Sequence, residues 1–140
     1  MLMSDTTVTG NTNYNNLSPN TEVDAVQAWW NRLQSRIGIF PQMLRLPNVS
    51  TLGRRELHWL QESLLKAYEA VENEWAPSFA HGARTCLLTA MADLMASLAE
   101  ALNGNHDMAN AYLKSANIEA SFIVDELNAL NIKHDWQVTT

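Results

Sequence analysis

Apolar residues recur every three or four positions along most of this chain, from about residue 20 to residue 131. Val23, Val26, Trp30, Leu33 and Ile37 form one such series. Leu57, Leu60, Leu64, Tyr68, Val71 and Trp75 form a second. A third runs through Phe79, Ala83, Leu87, Ala90, Leu94, Leu98 and Leu102. The fourth uses Ala109, Tyr112, Ala116, Ile123, Leu127 and Leu130, with Phe122 alongside. This rhythm gathers each series on one face of an α-helix and leaves polar residues on the other.

The breaks between the series set the element ends. Helix one starts near Ser18-Pro19 or Asn20-Thr21 and stops at Gly38, because proline suits a first helical turn and glycine a last one. Residues 39–49 hold two prolines around Met43 and Leu44, which excludes a long helix. They are too apolar for solvent and are expected to pack over an end of the domain, with one short helical turn. Helix two runs from Ser50 or Thr51 to just before Pro77, with Gly53 inside it at a cost of about 1 kcal/mol. Helix three spans about Ser78 to Asn103. Asn103-Gly104-Asn105 makes a tight turn in which Asn105 caps helix four, about His106 to Asn131.

Helices two, three and four thus reach about 37 Å each, and short connections make neighbours antiparallel. The pattern predicts an all-α fold: an up-down four-helix bundle with a Pro-bracketed apolar connector after helix one. Residues 1–18, rich in Thr, Asn and Ser, read as a flexible N-terminal tail, 19–132 as one domain, and 133–140 as a C-terminal tail holding Trp136.

Composition narrows the class without naming a function. A chain of 140 residues with 46% apolar content is one globular domain. No apolar run approaches ~18 residues and no signal peptide is visible, so a cytoplasmic protein with no membrane span is expected. Cys86 is the only cysteine; in its apolar helical setting it reads as a buried, inert thiol.

The net charge of −6 opposes general nucleic-acid binding, but it is unevenly spread. From Arg32 to Lys66 there are six basic and two acidic residues. From Glu69 to Glu126 there are nine acidic and two basic ones. Arg32, Arg36, Arg45, Arg54 and Arg55 carry most of the positive charge. Arg54 and Arg55 fall in the first turn of helix two, where the dipole disfavours cations. An anion bound there would offset that cost, so contact with nucleic acid or another polyanion is the alternative function.

No nucleophile-elbow, Walker or dinucleotide-binding motif and no paired cysteines are present; no enzyme activity and no cofactor is expected. His58 and Glu62 sit four residues apart, a spacing that can bind a metal from one helix face. No second helix offers a matching pair, since His81 is followed by Thr85 and helix one has no histidine. Glu69, Glu72 and Glu74 crowd a helix C-terminus, where negative charge is unfavourable, as an ordinary acidic surface or the footprint of a basic partner.

Five tryptophans in 140 residues are the stronger clue. Trp30 and Trp75 fit core stripes, and Trp29 sits at the edge of its stripe. Trp59 points nearly opposite its own, to be covered by the 39–49 connector or left open. Exposed aromatics beside arginines are the composition of protein contact surfaces. The favoured function is therefore a non-catalytic interaction module: adaptor, chaperone, inhibitor or assembly subunit. Trp29, Trp59, Arg32, Arg36, Arg45, Arg54 and Arg55 would form its surface toward a protein partner or a second copy.

Overall fold

A computed structural model of the chain describes residues 19–136; the N-terminal tail 1–18 and the last residues of the C-terminal tail lie outside them. The described residues are all-helical. Five α-helices follow in order: α1 (Pro19–Gln34), α2 (Phe40–Leu44), α3 (Arg54–Asn73), α4 (His81–Leu102) and α5 (His106–Ala129). Short 3-10 turns at Val49–Thr51 and Ser78–Ala80 join them.

Each boundary has a local cause. Beyond Gln34 the chain tightens, with Arg36 N–H and Ile37 N–H both donating to Leu33 O, and it then turns at Gly38 with φ +60°. A side chain is strained there, so glycine suits the position. In the connector, Pro41 sits in the first turn of α2, where its missing N–H costs nothing. Asn48 Oδ1 then accepts from Ser50 N–H at 2.8 Å and shapes the next turn. Gly53 is the N-cap of α3 rather than an interior residue, so the expected helix penalty does not arise. Its N–H donates to Glu56 Oε1 at 3.2 Å. Gly104 turns the chain with φ +80°. Asn105 does not cap α5 through its side chain, as its spacing suggests; its Nδ2 donates back to Glu100 Oε1 at 2.7 Å.

α4 and α5 make the closest helix pair. Alanines at 83, 90 and 101 on α4 and at 109, 116 and 120 on α5 are buried, and small side chains let two axes approach. Ser97 Oγ donates to Ala109 O at 2.6 Å within that seam, and Ser115 Oγ donates to Asp93 Oδ2 at 2.8 Å beside it. α3 packs on α4 as well. The segment Ser78–Leu102 contains an 18-residue stretch with a mean hydropathy of 1.4 and is long and apolar enough to cross a membrane by length and composition, which counting unbroken apolar runs does not mark. Here Leu87, Ala90, Met91, Leu94 and Leu98 of that segment face the core.

The tryptophans depart most from their spacing. Trp29 has no exposed surface, and its ring centroid lies 6.1 Å from that of Trp30. It is a core residue and cannot serve as a contact surface. Trp136, assigned to a tail, is buried too, against Trp30 and Phe40. Asn131 turns the chain with φ 59°, and Ile132 N–H closes on Leu127 O at 2.9 Å. The stretch is then clasped to α1: Lys133 N–H donates to Gln27 Oε1 at 2.7 Å, and Gln27 Nε2 donates to Lys133 O at 3.1 Å. The domain therefore extends past 132 to at least Trp136. Trp136 packs on both Trp30 and Phe40 and so widens the buried side of α1.

Trp75 moves the other way. It is 71% exposed because α3 ends at Asn73 and Glu74 adopts extended backbone, so the helical phase is lost just before it. Phe79, placed in a core stripe by spacing, is likewise exposed in the 3-10 turn before α4.

Candidate interaction surface

The connector forms a ridge with an apolar hollow on each side. Phe40, Met43, Leu44 and Val49 bury themselves, as their composition requires, and hold the ridge against the domain. On one side lies a groove of about 200 Å³ bounded by Ile39, Met43, Leu46, Leu52, Trp59 and Leu60. On the other lies a cleft of about 320 Å³ between the connector and α5, bounded by Leu44, Leu46, Pro47, Leu113 and Ile118, with Arg45 and Lys114 at its edge. Leu46 borders both. Trp59 flanks the first groove but is not covered by it: 57% of its surface remains exposed. Ile118, on α5, is exposed as well.

The five arginines do not gather into one patch. Arg32 Nε bonds Glu74 Oε2 at 2.8 Å, and Arg36 contacts Glu74 Oε1 at 3.2 Å. The Glu74 side chain is only 13% exposed, so it is a fixed anchor between the ends of α1 and α3. Arg54 stands at the opposite end of α3, about 30 Å away along a helix of this length. Its guanidinium donates to Leu102 O at 3.2 Å and so caps the C-terminus of α4. The mismatch of a cation in the first turn of α3 thus resolves without an external anion: the same charge sits at the negative end of α4. Arg45 and Arg55 are exposed and belong to no ion pair among the described residues.

The acidic triplet also separates. Glu74 is engaged by arginines, while Arg84 donates to the backbone carbonyl of Glu72 at 3.2 Å and closes the end of α3. His58 and Glu62 are both exposed on α3. No group of three or more potential metal ligands comes together among the described residues.

Cys86 is half-buried at the α4–α5 seam. Burial pushes the pKa of its thiol above the ordinary cysteine value, and the carboxylates of Glu119 and Glu126 push it further. That environment suppresses the thiolate, the reactive form.

Residues that sequence reasoning passed over are Lys114, Asn117 and Ile118. A signal for Ile118 is present: Met108, Ala111, Ser115, Ile118 and Phe122 repeat at spacings of three and four, nearly opposite the buried stripe of α5. Met108, Ile118 and Phe122 are all exposed. No family model matches the chain, and no curated protein or solved structure is significantly similar to it.

Proposed function

We propose that this chain is a non-catalytic helical interaction module whose contact surface is the connector face centred on Trp59, with α1, α3, α4 and α5 arranged as an up-down bundle behind it. The observation that carries the reading is a tryptophan with more than half its surface open beside an apolar groove. Large aromatic side chains bordering apolar hollows act as anchors in protein interfaces, where desolvation of the ring supplies most of the affinity. The surface keeps Trp59, Arg45 and Arg55 and loses Trp29 to the core. Arg32, Arg36 and Arg54 are already engaged within the chain, by Glu74 and the Leu102 carbonyl, which leaves a polyanion few free cations to grip.

The partner is a protein, and a second copy of the chain is one form of it. Light scattering and partner capture on the purified chain and on Trp59→Ala test the reading. Loss of the association in the variant, with the fold intact by circular dichroism, supports it. An association that survives Trp59→Ala unchanged overturns it.

A further inference from the structure

The cleft on the α5 side of the connector differs in character from the Trp59 groove. Its floor is apolar, from Leu44, Leu46, Leu113 and Ile118, but its rim is positive. Arg45 on the connector and Lys114 on α5 both border it, and neither forms an ion pair among the described residues. No carboxylate lines the cleft itself. Glu56 lines the Trp59 groove and accepts from Gly53 N–H. Asp135 borders a neighbouring hollow with Arg45. Two cations left facing one apolar cleft are a recognition feature for a carboxylate-bearing partner.

The wall of the cleft carries a second, independent mark. Asn117 lines it and is only 7% exposed. Its Nδ2 donates to Leu113 O at 3.1 Å, which fixes the amide orientation and leaves Oδ1 as the acceptor. Oδ1 has no partner and is sealed from solvent. A buried acceptor without a donor is costly, and most such groups in folded proteins are paired. A partner that parts Asn117 slightly from the connector and offers an N–H offsets that cost.

We propose that this cleft and the Trp59 groove form one continuous docking face, bridged by Leu46, that takes an acidic amphipathic helix from a protein partner. The inference rests on the reading of the Trp59 face as an interaction surface and adds the chemistry of the partner. Apolar side chains of the docked helix rest on both sides of Leu46, and its carboxylates meet Arg45 and Lys114. The first turn of such a helix has free N–H groups and favours acidic residues, so one end of it supplies both a donor for Asn117 and charge for the rim.

The test uses the full chain and a fluorescein-labelled synthetic helix with Leu and Phe at i, i+3, i+4 and i+7 spacing and Glu along both edges. A matched helix with Lys in place of Glu is the control. Fluorescence anisotropy should show the acidic helix binding, more weakly as salt rises, and the Lys helix binding at least about tenfold less tightly. Arg45→Glu and Lys114→Glu, both at exposed positions, should each weaken the acidic helix about tenfold, or roughly 1.4 kcal/mol. Asn117→Leu should raise the melting temperature of the free protein yet weaken binding, a split that a purely structural role does not produce. Equal binding of the Lys helix, no binding of the acidic helix at low salt, or indifference to both charge reversals overturns the inference. If Trp59→Ala abolishes binding while the two reversals do nothing, the Trp59 reading stands and the acidic partner falls. If the reversals act and Trp59→Ala does not, the cleft stands and the Trp59 anchor falls.

Discussion

Trp136 packs edge-on against Trp30, with ring centroids 5.1 Å apart and planes inclined at 65°. The pair joins the end of the described chain to its first helix, in the geometry aromatic rings favour. Removing the later ring leaves a cavity beside Trp30 and Phe40. Trp136→Ala is therefore expected to cost about 3–5 kcal/mol of stability. Chemical denaturation of the two proteins measures it; a cost under about 1 kcal/mol would show that this end of the chain is not part of the core.

Trp29 and Trp75 make a contrasting pair. The first has no exposed surface and the second is 71% exposed. Trp29→Ala should destabilise by about 3–5 kcal/mol, whereas Trp75→Ala should change stability by less than about 0.5 kcal/mol. Equal effects would contradict the exchange of roles described above. Acrylamide quenching offers a second readout, since Trp59 and Trp75 should supply most of the quenchable emission.

The clasp of Arg32 and Arg36 on Glu74 is an electrostatic contact with exposed cations and a mostly buried carboxylate. Both guanidinium groups are screened by solvent, so the energy is modest. Glu74→Gln should lower stability by about 1 kcal/mol at low ionic strength and by less in high salt. A deficit that does not shrink with salt would point to packing rather than charge.

Cys86 should react slowly. Its proton is held more tightly in the folded protein than in the unfolded chain, by burial first and then by Glu119 and Glu126. The stability from this proton is complete below the ordinary cysteine pKa and declines as pH rises through the higher value of the folded protein. Iodoacetamide at pH 8 should label the native protein more slowly than the denatured one, and Glu119→Gln should speed that labelling. Native labelling as fast as in denaturant would refute the shift.

The helices were legible because their causes are local. Spacing of apolar residues, the glycines at 38 and 104, and the prolines at 41, 47 and 77 act within a few residues of themselves. The connector was readable as buried for the same reason, since six large apolar residues in an eleven-residue stretch broken by two prolines leave no other place for them. Of the proposed surface, Trp59 was legible from its phase on the α3 helix. Ile118 carried a signal only as part of an outward apolar series on α5, and Lys114 carried none, because it matters only through its position across from the connector. The arginines misled in the opposite direction: they sit close in sequence, but α3 carries Arg54 and Glu74 to its two ends.

The sequence by itself determined the all-helical class and most helix ends, for these follow from backbone preference and side-chain period. Tertiary structure decided which aromatic faces solvent. Trp136 is enclosed because the last segment returns to α1, where the Gln27–Lys133 clasp holds it; Trp29 lies in the core although its spacing puts it at the edge of its stripe; and Trp75 is free because its helix stops two residues earlier. Burial depends on which distant segment arrives at a face, and no local period encodes that arrival.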